Sequence, residues 1–172
     1  DQLSAKFDQS VFRTPDPVLQ GLSSQLFACG RALDIGCGTG AVLQRLQPFA
    51  EQLVGLDLSR NMLEIARRQL GPEAHLIQGD FLKTYWENQF QLITCVGVLG
   101  HIPVADQDEF FRRVERALCP GGVFLTVVGS LTGRPWVYLP ALAFDSLMRL
   151  RNLLWRPTFV MYYLSFVLPQ AA

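Results

Sequence analysis

Short apolar runs alternate with amphipathic stretches along this chain. Residues 17–29 (PVLQGLSSQLFAC) place apolar side chains at helical spacing behind the breakers Pro15 and Pro17, which predicts a first helix. Arg31 to Ile35 is an apolar run ending in glycines and predicts a buried strand. Thr39 to Leu46 predicts a helix stopped by Pro48, and Leu53 to Leu56 a second strand that ends at Asp57. Ser59 suits an N-cap, with Met62, Ile65, Ala66 and Leu70 on one helical face and Gly71-Pro72 as the stop. Ala74 to Gln78 predicts a third strand, closed by Gly79-Asp80.

Phe90 to Val96 predicts a fourth strand, and residues 105–118 a helix with Phe110, Phe111, Val114 and Leu118 at helical spacing. Pro120-Gly121-Gly122 reads as a turn, followed by a fifth strand from Val123 to Val128. Short, mostly apolar strands alternating with helices imply an α/β fold whose parallel sheet is covered on both faces. Such sheets bind ligands outside the carboxyl ends of the strands, where the strand order reverses. Asp57 and Asp80 both follow strand ends, so they are expected to converge at that rim.

The length of 172 residues suits one domain, and 49% apolar content provides a real core. Lys plus Arg and Asp plus Glu are 15 each, a balance that argues against a dedicated nucleic-acid binder. The zero hides a gradient, because residues 134–172 hold four Arg and a single Asp. Cys29, Cys37, Cys95 and Cys119 form no CxxC pair, and two His are too few for a common zinc site, so no metal is expected. Scattered thiols in apolar context read as reduced core residues of a cytoplasmic protein. The N-terminal DQLSAKF has no signal-peptide pattern and no Met, which reads as a piece of a longer chain.

The chemistry-bearing motif is Leu33-Asp34-Ile35-Gly36-Cys37-Gly38-Thr39-Gly40. A glycine turn between strand and helix lets a ligand approach the backbone, although glycines also serve plain tight turns. Asp57 follows Gly36 by 21 residues, where a carboxylate can accept ribose hydroxyls or cap the next helix. Asp80 can accept the exocyclic amine of an adenine, or serve as a turn aspartate before Phe81.

Taken together, LDIGCGTG, GLDLS, QGDF, FQLITCVGVLGHI and LCPGG resemble class I S-adenosylmethionine-dependent methyltransferases over roughly residues 28–130. The resemblance implies a Rossmann-like, doubly wound, mostly parallel sheet and S-adenosyl-L-methionine as cofactor, with S-adenosyl-L-homocysteine as product. It places Asp34, Gly36, Cys37, Gly38 and Gly40 around the methionine part. Asp57 holds the ribose, Leu58 and Met62 pack near the adenine, and Asp80 and Phe81 read the adenine edge. Val96 and Gly97 line the methionine end. A nicotinamide dehydrogenase is the rival, since Gly36, Gly38 and Ala41 also fit its glycine pattern. A methyltransferase-like binding or scaffold protein without turnover is the other alternative.

The methyl donor is already activated, so a catalytic acid or base is optional. His101, after the fourth strand, is the one candidate base, against a plain loop histidine. The sequence Thr94-Cys95-Val96-Gly97 lacks the Asn-Pro-Pro-aromatic pattern of enzymes that methylate nucleic-acid bases. A small-molecule acceptor, lipophilic or aromatic, is therefore expected.

Residues 1–133 read as the cofactor-binding core and 134–172 as an apolar, basic extension rich in aromatic residues and leucine. The extension is read as helices packed on the sheet, as a cap over a lipophilic acceptor, or as an amphipathic element touching a membrane surface. Nothing after Val128 reads as the antiparallel last two strands usual in the family, so the sheet is expected to lack them or the chain to be truncated.

Overall fold

The computed structural model describes residues 16–127. The elements are α1 (Asp16–Ser23), β1 (Cys29–Ile35), α2 (Ala41–Leu46), β2 (Ala50–Asp57), α3 (Arg60–Leu70), β3 (Ala74–Gln78), β4 (Phe90–Val96), α4 (Val104–Ala117) and β5 (Leu118–Val127). Short 3-10 turns occupy Phe81–Lys83 and Leu99–His101. The strands form one sheet in the order β3-β2-β1-β4-β5, and every neighbouring pair is parallel. The chain winds outward from β1 to β3, then returns to β4 on the other side of β1. The crevice outside the carboxyl ends of β1 and β4 is thus the ligand position this topology favours.

Alternation along each strand divides the core between two faces. Ala32, Leu53 and Leu92 face Leu43 and Leu46 of α2 and Leu63, Ala66 and Leu70 of α3, with Leu19 and Leu22 of α1 beside them. Leu33, Val54 and Ile93 face Phe110, Val114 and Ala117 of α4. Each fully buried Leu, Ile or Phe side chain contributes roughly 1.5–3 kcal/mol, so these two layers carry the fold.

The connection from β3 to β4 holds only a 3-10 turn, where parallel strands are usually joined through a helix. Aromatic residues cover the sheet there instead. The Phe81 ring lies 5.8 Å from Trp86 and 5.1 Å from Phe110, and Trp86 meets Phe90 edge-on at 5.7 Å.

Several expected boundaries move. The first helix stops at Ser23 rather than at residue 29, and Cys29 already belongs to β1. The Ser23 hydroxyl donates to Leu19 O at 2.8 Å and that of Ser24 to Gly21 O at 2.7 Å, capturing carbonyls at the end of the helix. Strand β2 starts at Ala50, because Cys29 pairs with Ala50 and Arg31 with Gln52 even where the side chains are polar. Leu118 opens β5 rather than closing α4. The expected turn at Pro120-Gly121-Gly122 lies within β5 as a bulge: Phe90 pairs with Leu118 and Leu92 with Val123, and Gly121 turns at φ 78°. Residues 1–15 and 128–172, including Val128 and the whole expected extension, lie outside the described residues.

Candidate functional site

Strand β1 delivers the chain into the loop Gly36–Gly40 at the carboxyl rim. Gly36, Gly38 and Gly40 have φ of 70°, 53° and 93°, a region that side-chain-bearing residues rarely adopt. Gly36 has a further reason to be glycine: a Cβ there would stand 2.1 Å from Cγ2 of Val98, which folds over the loop from beyond β4. Above Gly38 the space is open, with nothing within 4 Å of the position of a Cβ.

The N–H groups of Gly36, Cys37, Gly38 and Gly40 are already bonded. Gly36 and Cys37 donate to Leu56 O at 2.7 and 3.0 Å, and Gly40 to Cys37 O at 2.9 Å. Gly38 donates to Oδ2 of Asp57 at 2.8 Å, while Ser59 donates to Oδ1 of the same carboxylate at 2.8 Å. Asp57 therefore ties the glycine loop to the entry of α3, where Ser59 is the N-cap. A pyrophosphate needs free N–H groups at a helix start. Here the loop donors of Gly36, Cys37, Gly38 and Gly40 are engaged, which leaves an anion only the first turn of the six-residue α2.

Asp34 is 2% exposed and lies under this loop. The fully buried Thr94, its register partner on β4, donates its hydroxyl to Oδ1 of Asp34 at 2.7 Å. Burial pushes the Asp34 carboxyl up to about 7; the Thr94 hydrogen bond opposes that shift and the Asp57 charge adds to it.

The other expected site residues divide into rim and core. Leu58 is 70% exposed at the rim, Gly97 is exposed with φ 75°, and Met62 and Val96 are half-buried beside them. Asp80 accepts the Leu82 N–H at 3.0 Å and lies 3.5 Å from Lys83 Nζ. His101 is exposed on its 3-10 turn, and partial desolvation lowers its pKa. Three side chains of this set face inward. The Phe81 side chain is 6% exposed and packed with Trp86 and Phe110. The Cys37 side chain points inward, with Sγ 2.9 Å from where a Cβ of Gly55 would stand. Asp34 likewise lies beneath the loop.

Sequence reasoning missed Thr94 and Val98. A lone threonine inside the apolar run of β4 was the available signal for the first. Nothing local marked the second.

A methyltransferase-domain family profile matches residues 32–122, more than half of the chain. The chain belongs to the class I S-adenosylmethionine-dependent methyltransferase family. It is 32% identical over 95 residues to the ubiquinone biosynthesis O-methyltransferase of Hydrogenovibrio crunogenus, covering 52% of this chain and 39% of that protein. It is 35% identical over 108 residues to the dTDP-4-amino-2,3,4,6-tetradeoxy-D-glucose N,N-dimethyltransferase of Saccharopolyspora spinosa, covering 62% and 43%. The chain thus spans less than half the length of these relatives. Among solved structures, the DhpI-SAM-HEP complex shares the fold with a TM-score of 0.68 at 23% identity, covering 76% of this chain and 63% of that one. The methyl donor of this family is S-adenosylmethionine. The open space over Gly38, the Asp57 carboxylate beside it and the exposed Gly97 suit such a ligand.

The buried Asp34 has a consequence for stability. Its ordinary value is 3.8 and its folded value about 7, so between them the folded protein binds more protons than the unfolded chain. Stability therefore falls as pH rises through that window. Asp34→Asn is expected to gain on the parent between about pH 4 and 7 and to hold a lead on the order of 3–4 kcal/mol above it. Denaturant melts across pH read this directly. A variant less stable than the parent at pH 8 would contradict it.

Proposed function

We propose that this chain is the donor-binding core of a methyltransferase that acts on a small molecule, lipophilic or aromatic in character. The Asp57 carboxylate carries the reading, as it stands at the end of β2 with one backbone N–H on each oxygen. An ionised carboxylate oxygen accepts more than one hydrogen bond, so both oxygens keep capacity for ribose hydroxyls. Leu58 and Met62 give the adenine apolar contact, and Asp80 accepts its exocyclic amine. Val96, Gly97 and the backbone of Gly36 to Gly40 surround the methionine end, with Asp34 and Cys37 beneath.

S-adenosylmethionine supplies an activated methyl group when bound. The chain's part is to orient the acceptor in line and exclude water. His101 takes the acceptor's proton. Desolvation lowers its pKa, which keeps the ring neutral and able to accept at pH 7. The likeness to an O-methyltransferase of ubiquinone biosynthesis supports a lipophilic or aromatic acceptor. The aromatic and leucine content of residues 134–172 supports it too.

Calorimetry with S-adenosylhomocysteine and NAD tests the donor. S-adenosylhomocysteine is expected to bind and NAD not to, and NAD binding alone would overturn the reading. Asp57→Ala is expected to weaken S-adenosylhomocysteine by roughly 1.5–3 kcal/mol. It should also lower the stability of the free protein, because two backbone N–H groups lose their acceptor. Unchanged affinity would leave Asp57 a purely structural clasp.

Deleting residues 134–172 is expected to keep S-adenosylhomocysteine affinity within about tenfold, or 1.4 kcal/mol. Methylation of a panel of alkylphenols is expected to disappear. Loss of the folded state would assign the segment to packing instead. Salt-sensitive binding of the intact chain to anionic vesicles, lost on deletion, would assign it to a membrane surface.

A further inference from the structure

Gly36 and Val98 meet where the glycine loop and the chain leaving β4 run side by side. A Cβ on Gly36 would stand 2.1 Å from Cγ2 of Val98, 3.4 Å from its Cβ and 3.6 Å from its Cγ1. One methyl of Val98 therefore fills the space that any side chain on Gly36 would need. The φ of 70° at Gly36 also favours glycine, so the niche and the backbone make the same demand. Val98 is half-buried, packed against the core cluster that holds Leu33, Ile35 and Ile93.

The contact matters because of what hangs on Val98. Its carbonyl accepts the N–H of His101 at 2.8 Å, closing the 3-10 turn Leu99–His101. Gly97, at φ 75°, and Gly100 carry no side chains that could brace this turn. Leu99 and Ile102 pack in the same cluster as Phe110 and Val114, which ties the turn to α4. Val98 ties it to the glycine loop. The His101 ring makes no hydrogen bond or ion pair among the described residues, so the backbone of the turn sets where the ring stands. Reacting groups tolerate little misplacement, and an error of about 1 Å costs on the order of a hundredfold in rate.

We propose that Val98 is a positioning residue for methyl transfer: seated in the niche left by Gly36, its side chain fixes the turn that carries His101 against the loop that holds the methyl donor. The inference rests on the reading of that loop as the donor site and of His101 as the base. Val98 takes no part in the chemistry; it sets the separation of the two loops. The missing side chain of Gly36 thereby serves the acceptor side as well as the donor side.

The test needs no acceptor. The full chain is loaded with S-adenosylmethionine labelled with carbon-13 in its methyl group, and nuclear Overhauser contacts to the His101 ring are read. The parent is expected to show a cross-peak between the donor methyl and the ring. Val98→Ala is expected to keep donor affinity within about threefold and to lose most of that cross-peak. Amide protection of His101 should fall about tenfold with it, while that of Cys37, bonded to Leu56, holds. Val98→Thr keeps both γ positions filled and should restore the cross-peak. Gly36→Ala evicts Val98 from the same niche, and at donor saturation it is expected to lose the cross-peak too. Adding Val98→Ala to Gly36→Ala should recover donor affinity, because the new methyl then meets only a Cβ at 3.4 Å. A folded Val98→Ala with the parent's cross-peak would overturn the proposal. Should that variant not fold, Gly36→Ala with the parent's cross-peak would do so. A parent without the cross-peak, its glycine loop still responding to the donor, would refute His101 as the base and this role for Val98 with it. A glycine loop that does not respond would refute the donor site itself.

Discussion

The carboxylate of Asp57 accepts one N–H from the glycine loop and one from the entry of α3. The end of β2, the glycine loop and the entry of α3 are tied together at one rim by this side chain. Because the N–H groups of Gly36, Cys37 and Gly40 are bonded as well, the loop presents glycine surface and open space more than a nest of free donors. That suits a ligand recognised through ribose, adenine and an amino-acid end, and it suits a pyrophosphate poorly. The parallel order β3-β2-β1-β4-β5 is what brings Asp57 beside the loop, since β2 pairs with β1 in a register that aligns Leu56 with Ile35.

Much of this fold is legible in the sequence because its central strands β1, β2 and β4 are buried on both faces. Runs such as Leu53 to Leu56 and Phe90 to Val96 have no solvated alternative, and glycine or aspartate ends them. What fails is what depends on partners. The polar start of β2 is a strand only because β1 lies beside it. The first helix ends early through the Ser23 and Ser24 hydroxyls, which a periodicity of apolar residues does not register. The Pro120-Gly121-Gly122 signal is a genuine backbone departure, but the strand on β4 resumes around it as a bulge.

The site was legible as a set of positions more than as a set of roles. The sequence pattern puts Asp57 and Asp80 at strand ends and Asp34 inside the first strand, yet it does not distinguish a carboxylate facing the cleft from one sealed beneath it. Burial separates Asp34, 2% exposed and bonded to Thr94, from Asp57, half-buried at the rim. Phe81 stands beside a site residue in sequence and belongs to the core in space, because the helix-free connection after β3 needs an aromatic cover. Thr94 and Val98 matter only through contacts across the sheet, with Asp34 and Gly36 respectively.

The central claim is that the rim clasped by Asp57 is where the methyl donor binds. Backbone amide NMR of the full chain, titrated with S-adenosylhomocysteine, tests it most directly. The largest shifts are expected at Gly36 to Gly40, at Leu58 and Ser59, and at Gly97 and Val98. Little change is expected at the open recess lined by Ala28, Gly30, Phe49 and Glu51 at the opposite end of the sheet. Shifts gathered at that recess, with the glycine loop silent, would contradict it.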